Sequence, residues 1–370
     1  MAKDKLLFTP GPLTTSETVK SAMLHDYGSR DIVFIETVKK VRSQLLELAG
    51  VSKEEGYESV IMQGSGTFGI EAVISSVIPA NGHLLIIING AYGERISKMA
   101  TIHKIPQTRM VFEENEIPSL SAIEKELKSN AAITHVAVIH CETTTGIINP
   151  IEKIGDLVKK YGKVFIVDAM SSFGAVPVNV KEAKIDFIIS SSNKCIEGVP
   201  GFSFTIANRD ALCQAKGNAR TLALDLYAQW EGLESNGQFR FTPPTHAILA
   251  FNQAINELMK EGGIPGRAKR YSRNHQQLVE GMRALGFKEY LPIEKQGYII
   301  TSFHYPAHPN FNFKDFYSKL NDKGQVIYPG KLSKVDCFRI GNIGQIYPKD
   351  IEVLLKCIAE VLEEMGIDKF

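Results

Sequence analysis

The sequence lacks most of the features that would place it in a specialised class. Its 370 residues include only five cysteines (Cys141, Cys195, Cys213, Cys337 and Cys357), an odd number with no short pairing motif. They read as reduced thiols in a cytoplasmic protein. Charge of one sign is not in excess either: 42 basic side chains face 41 acidic ones, a net charge of +1. Neither nucleic acid nor a membrane surface is therefore expected as a partner. No apolar run approaches a membrane span, and the opening MAKDKLLFTPGP lacks the apolar core of a signal peptide. Repeats and low-complexity tracts are missing. His135 and His140 fall on opposite faces of a strand and so make no metal pair, and no other His or Cys group has zinc spacing.

What remains is the composition of an ordinary globular protein, 44% apolar and 22% charged, with enough chain for one large and one smaller domain. Short β-branched runs at Tyr57–Met62, Leu84–Ile88, Val136–Ile139, Val164–Val167 and Phe187–Ile189 read as strands. Helical patterns near Ile35–Ala49, Ile70–Ile78, Glu94–Ile102, Ser119–Lys128 and Ile151–Tyr161 alternate with them. This alternation predicts an α/β fold, a mostly parallel sheet with helices on both faces. Residues 6–15, LLFTPGPLTT, read as an extended arm or loop, and Ser16 as the cap of a helix from Glu17. After Gly201 the character changes. Phe202–Ala207 alternates like an antiparallel strand, Pro243-Pro244 precedes a helical pattern over His246–Lys260, and GGIPG at 262–266 marks a further break. The expected organisation is an N-terminal arm over 1–15, a large domain over 16–245, and a linking helix with a small C-terminal domain over 246–370.

The chemistry concentrates in residues 164–201. One strand ends in Asp168, and the next runs out through Ser190-Ser191-Ser192-Asn193 into Lys194. Ligands of open α/β sheets sit beyond the carboxyl ends of the strands, so these two residues can face one another across a site. A lysine and a carboxylate so placed suit pyridoxal phosphate (PLP), the lysine forming a Schiff base and the aspartate pairing with the pyridinium nitrogen. The competing reading is a turn-capping Asp and an ordinary surface Lys.

Gly64, Gly66 and Gly69 match the dinucleotide pattern G-x-G-x-x-G between a strand and a helix. That pattern requires an acidic residue about 20 positions on, and here the next strand ends in Asn89-Gly90. We therefore read the loop as a phosphate cradle at a helix N-terminus, with Ser65 and Thr67 adding hydroxyls. The alternative is a plain tight turn. Tyr92, in a Gly-flanked loop, is a candidate to stack on a planar cofactor or simply to pack. Thr143, Thr144 and Thr145 are candidate donors or turn residues. Arg339, alone in CFRIGNIG, wants an anion, whether a ligand or a structural partner. Cys195 has no evident base beside it and reads as packing.

Taken together, TPGP, MQGSGTFGIEA, NGAYGER, HCETTTGI, VDAMSSFG, SSSNKCIEGVPG and FRIGNIG resemble the 2-aminoethylphosphonate:pyruvate transaminases almost from end to end. These belong to the alanine–glyoxylate branch of the aspartate-aminotransferase-like PLP enzymes of fold type I. The resemblance implies a large domain with a mostly parallel, seven-stranded type of sheet and a smaller α+β domain. It implies Lys194 as the Schiff-base lysine and Asp168 as the partner of the ring nitrogen. Ser65, Gly66 and Thr67 would hold the phosphate, Tyr92 would stack on the ring, Thr143 would lie near the ring hydroxyl, and Arg339 would hold the substrate carboxylate. A Tyr-x-x-Thr segment from a neighbouring subunit completes the site in the wider branch. Here it reads Phe239-Arg240-Phe241-Thr242, which keeps Thr242 and loses the phenol. A homodimer with shared sites and small-molecule substrates is the implied assembly. Arg30, in the loop Gly28–Asp31, and the arm Thr9–Pro12 are candidates to read a phosphonate, with a salt bridge to Asp31 the rival role for Arg30. The nearest alternative activity is an alanine– or serine–glyoxylate aminotransferase. A nicotinamide dehydrogenase lacks its ribose acid, and a non-catalytic binding protein would leave Asp168 and Lys194 unexplained.

Overall fold

The computed structural model describes residues 4–370 apart from Lys331, Ser333, Lys334 and Lys369. At its centre is a seven-stranded sheet in the order Tyr57–Gln63, Phe202–Asn208, Phe187–Ser191, Val164–Asp168, His135–Ile139, Leu84–Ile88, Gln107–Val111. Phe202–Asn208 runs antiparallel to both its neighbours, and the other pairs are parallel. The central strands are buried at every position because helices cover both faces, and most of their side chains are accordingly apolar. All the strands that run the same way deliver their carboxyl ends to one edge. Gln63, Ile88, Ile139, Asp168 and Ser191 are the last strand residues there.

Several elements differ from expectation. Gln107–Val111 is a strand that sequence did not announce, because an edge strand half in water carries Gln, Thr and Arg in place of an apolar run. Asn89–Gly93 is not a loop throughout: a helix starts at Ala91, so Tyr92 and Gly93 sit in its first turn. GGIPG marks the break between the helices Thr245–Lys260 and Gly263–Ala284: Gly262 turns the chain, and the rest of the motif opens the second helix, its proline in the first turn where no N–H is needed. Two helices, Arg209–Gln214 and Leu226–Asn236, fill the stretch after the antiparallel strand.

A second apolar cluster gathers Phe8, Phe287, Phe303, Phe316 and Phe338 with residues of the last helix, Pro348–Glu364. It lies under a three-stranded antiparallel sheet ordered Ile300–His304, Cys337–Gly341, Tyr328–Pro329. The arm belongs to this cluster. Leu6–Leu7 pairs in parallel with Gln325–Val326, and Gly341 N donates to the Phe8 carbonyl at 3.0 Å. Gly341 permits that approach, since a Cβ there would stand 2.5 Å from the Thr9 carbonyl oxygen. Both atoms are backbone, so neither yields cheaply. Gly341→Val is expected to unseat the arm and cost about 1–3 kcal/mol, the usual penalty of overpacking. Limited proteolysis checks it: cleavage within residues 4–15 should appear in the variant and not in the parent.

Candidate active site

The carboxyl edge of the large sheet holds a cavity of about 180 Å³ lined by Ser65, Gly66, Thr67, Tyr92, Arg95, Asp168, Met170 and Lys194, among others. Six residues singled out from sequence thus meet in one place. Ser65 precedes the helix Gly66–Val77 as its N-cap, yet its side chain makes no capping bond. The first N–H groups of any helix lack an intrahelical acceptor, so this N-terminus offers backbone donors and a spare hydroxyl to the cavity. A Cβ on Gly66 would lie 2.4 Å from the Met170 sulfur, so a larger residue there would push the Met170 side chain out of its place in the cavity wall.

Asp168 ends its strand with only 6% of its surface exposed, and its Oδ1 accepts the Met170 N–H at 2.9 Å. Among the described residues, Oδ2 has no hydrogen-bond donor. Burial pushes the carboxyl up to about 6, and nearby Glu142 adds to the rise, while the Met170 N–H, Lys194 and Arg95 pull the other way. The positive neighbours alone therefore do not secure the ionised form; a cation at Oδ2 would. Enclosure by protein pushes the Lys194 amine below its ordinary value. A lysine held toward neutrality is a better nucleophile and proton acceptor. Its Nζ donates to the Pro10 carbonyl of the arm. Gly11, at φ +111°, leaves room for it, since a Cβ would stand 2.8 Å from the Lys194 Cδ and Nζ.

The turn bearing Lys194 is anchored by a buried charge network that sequence reasoning did not find. Glu197, at φ +66° and 1% exposed, accepts from Arg270 Nη2 at 2.7 Å, Tyr271 Oη at 2.5 Å and Gln345 Nε2 at 2.9 Å. Arg267 donates to the Cys195 carbonyl and lies 3.3 Å from Glu197, and Glu261 bridges both arginines. Cys195 itself is buried, its thiol pushed up to about 12, with Sγ 3.3 Å from the Ser171 carbonyl. That is packing, not reactivity.

Tyr92 is fixed by Glu142, whose Oε2 accepts the Tyr92 N–H at 3.2 Å while Oε1 accepts the Thr144 N–H and hydroxyl at 3.0 and 2.6 Å. An acid at a helix N-terminus also suits the dipole. Other expected residues lie apart from the cavity lining. Thr143 is buried, and its carbonyl accepts from Arg339 Nη1 at 2.7 Å. Arg339 is 2% exposed, donates Nε to Pro329 at 2.9 Å, and stacks 5.0 Å from the Tyr328 ring centre. Its Nη2 meets no acceptor among the described residues. Thr242 and Arg30 are exposed and outside the lining. Asp31 is not bridged to Arg30; it caps the helix Ile32–Leu48, accepting from Val33 N at 2.8 Å.

The raised carboxyl makes a stability prediction. An Asp whose folded pKa exceeds its unfolded value near 3.8 destabilises the fold wherever it is ionised, fully above about pH 6 and not at all below about pH 4. Asp168→Asn, which can still accept from Met170 N–H, is expected to stabilise the cofactor-free chain by roughly 3 kcal/mol at pH 8. The gain should fade as pH falls through 6 towards 4, as read by denaturant unfolding at each pH.

The Aminotransferase class-V family model matches residues 15–333. A 2-aminoethylphosphonate–pyruvate transaminase of Phocaeicola vulgatus is 52% identical over 358 residues, covering 96% of this chain and 98% of that protein. One from Bacillus cereus strain AH820 is 54% identical over 356 residues, 96% of this chain and 97% of that protein. The fold matches the crystal structure of ureidoglycine–glyoxylate aminotransferase from Bacillus subtilis with a TM-score of 0.91 at 23% identity, over 99% of this chain and 95% of that one. It matches alanine–glyoxylate aminotransferase from Nostoc sp. with a TM-score of 0.89 at 23% identity, over 98% and 96%.

Proposed function

The chain belongs to the class-V aminotransferases, and we propose that it moves the amino group of 2-aminoethylphosphonate to pyruvate, giving phosphonoacetaldehyde and L-alanine with PLP as cofactor. The observation that carries this is the meeting of Asp168, Lys194 and the Ser65–Thr67 N-terminus in one cavity, in a chain more than half identical to transaminases of that name. The donor set fits the cofactor. An enclosed amine, a buried acceptor without a donor and a helix N-terminus without a capping side chain match an aldehyde, a ring nitrogen and a phosphate.

When bound, PLP supplies a carbonyl that takes up the donor's nitrogen and a cationic ring that accepts the electron pair left by deprotonation. Lys194 would hold the cofactor covalently between turnovers, and its amine, once free, would be the base that takes the proton from the donor carbon and the acid that gives it back. Asp168, through Oδ2, would keep the ring nitrogen protonated, and that cation would in turn lower the carboxyl from its value near 6. Ser65, Gly66 and Thr67 would hold the phosphate and Tyr92 would cover the ring; Thr143, outside the cavity lining, is the residue the family resemblance assigns to the ring hydroxyl. Arg339 offers its free Nη2 edge to the carboxylate or phosphonate of the substrate, with Arg30 the candidate for the phosphonate's extra charge. In the Lys194→Ala variant, transfer should fall at least a thousandfold and the absorbance of the lysine-bound cofactor should be lost. Adding 2-aminoethylphosphonate to the parent should bleach that absorbance. A spectrum unmoved by the phosphonate but bleached by serine would overturn the substrate assignment.

The assembly we propose is a homodimer. Thr242 is exposed, and exposed apolar side chains flank it: Phe68 (52%), Leu222 (73%) and Phe241 (44%). They are tied to one surface, because Gln63 Nε2 donates to the Phe241 and Thr242 carbonyls and Arg240 to the Leu222 carbonyl. A second copy seated there would cover the rings and bring Thr242 to its neighbour's phosphate. None of the five cysteines forms a disulfide, which suits a reducing compartment, and the cytoplasm is the location we assign. Sedimentation should give a dimer, and Thr242→Val should weaken PLP retention by about 0.5–1.5 kcal/mol, one hydrogen bond. A fully active monomer would exclude the shared site.

A further inference from the structure

Arg95 is a cation in the cavity that no part of the mechanism above uses. It lies one turn into the helix Ala91–Ile102 and lines the same cavity as Ser65, Thr67, Asp168 and Lys194. Its Nη1 donates to Thr67 Oγ1 at 3.2 Å, and its guanidinium lies 4.8 Å from the centre of the Tyr92 ring. No carboxylate among the described residues lies within ion-pair distance of it. The adjacent acid, Glu94, is spent on Arg109, at 2.5 and 2.7 Å.

A half-buried guanidinium without a counter-ion, set beside a helix N-terminus, lacks only an anion. Its bond to Thr67 adds direction. Because Thr67 Oγ1 accepts from Arg95, the hydroxyl proton of Thr67 is left to point elsewhere, and the N-terminal N–H groups of Gly66–Val77 lie alongside. We propose that Arg95 is the counter-charge of the phosphate end of the cavity, acting by its own charge and by orienting the Thr67 hydroxyl as a donor to the phosphate. The inference rests on the PLP reading of the site. A phosphate ester carries up to two negative charges, and a helix N-terminus with two hydroxyls offers only partial ones; Arg95 supplies the full charge. Its planar fork also explains why it can hold Thr67 and still present Nη2 to an anion.

The test separates the phosphate from the ring. Holoenzyme is equilibrated by dialysis against stepped PLP, and the retained cofactor is read by absorbance; the series is repeated with pyridoxal, which has a hydroxyl where PLP has the phosphate. Arg95→Met should weaken PLP retention about ten- to hundredfold, the loss expected for a charged hydrogen bond, and leave pyridoxal within twofold. Salt should weaken PLP retention more in the parent than in the variant, as screening requires. Arg95→Lys should recover part of the loss, since it restores the charge without the fork. If Arg95→Met does not fold, Thr67→Val carries the same comparison and should show a smaller loss confined to PLP. Equal losses of PLP and pyridoxal would overturn the proposal and reduce Arg95 to a support for Tyr92, as would no loss of either. A parent that retained neither compound would remove the cofactor reading itself, and this inference with it.

Discussion

The ion network around Glu197 is the constraint on which the site's geometry depends. Lys194 has no regular element to hold it, since its strand ends at Ser191 and the next begins at Phe202. The turn between is fixed instead by Glu197, three residues on, in a left-handed conformation that a non-glycine residue adopts only at a cost. Arg267, Arg270, Tyr271 and Gln345 hold it there, and they come from the long helix and the segment before the last one. Arg270 also donates to the Gly344 and Ile346 carbonyls. Two arginines and two glutamates balance in charge, so the network can be buried. Such a balanced cluster adds little net stability, but losing any one member strands the rest, at a cost of about 3–5 kcal/mol. Its value is geometric: it ties the reactive amine to the smaller apolar cluster, although the cavity itself belongs to the larger one.

Within that frame the amine and the carboxyl that face the cavity are pushed in opposite directions. Enclosure drives the Lys194 amine towards neutrality and Asp168 towards protonation. Each shift weakens the charged form, and an aldehyde with a cationic ring would relieve both. Arg339 is in the same condition, since burial lowers the pKa of its guanidinium and two of its donors are committed to the Pro329 and Thr143 carbonyls.

The parts legible in sequence are those whose environment is uniform. Val164–Asp168 and Phe187–Ser191 are buried on both faces, so their composition alone announces them, and with them the positions of Asp168 and Lys194. The glycine loop was legible for the same local reason, a strand, a turn and an amphipathic helix in immediate succession. Gln107–Val111 was not, because its polar side chains reflect its place at the edge of the sheet, which no local pattern encodes. Tyr92 reads as a loop residue because Gly90 and Gly93 look like breakers; a Cβ on Gly90 would stand 2.3 Å from the Glu142 Cδ, so that glycine serves a contact with a distant segment. Glu197, Arg267 and Arg270 gave no signal at all, since charged residues far apart in sequence look like solvated surface until the fold brings them together. Arg95 had a weak one, its spacing of one turn from Tyr92.

The parallel pairing of Leu6–Leu7 with Gln325–Val326 bears on how the protein is made. The ribosome releases the arm first, yet its partner strand, the Phe8 cluster and the Gly341 amide all come from the last part of the chain. At about 5–20 residues per second, the arm waits on the order of fifteen seconds to a minute for its seat. During that time the large sheet can form, but the Pro10 carbonyl cannot reach Lys194, and Glu197 has none of its partners. The turn bearing Lys194 therefore gains its full set of partners only once residues up to Gln345 have been made, and a chain cut short of them carries Asp168 and Lys194 without the contacts that fix the turn.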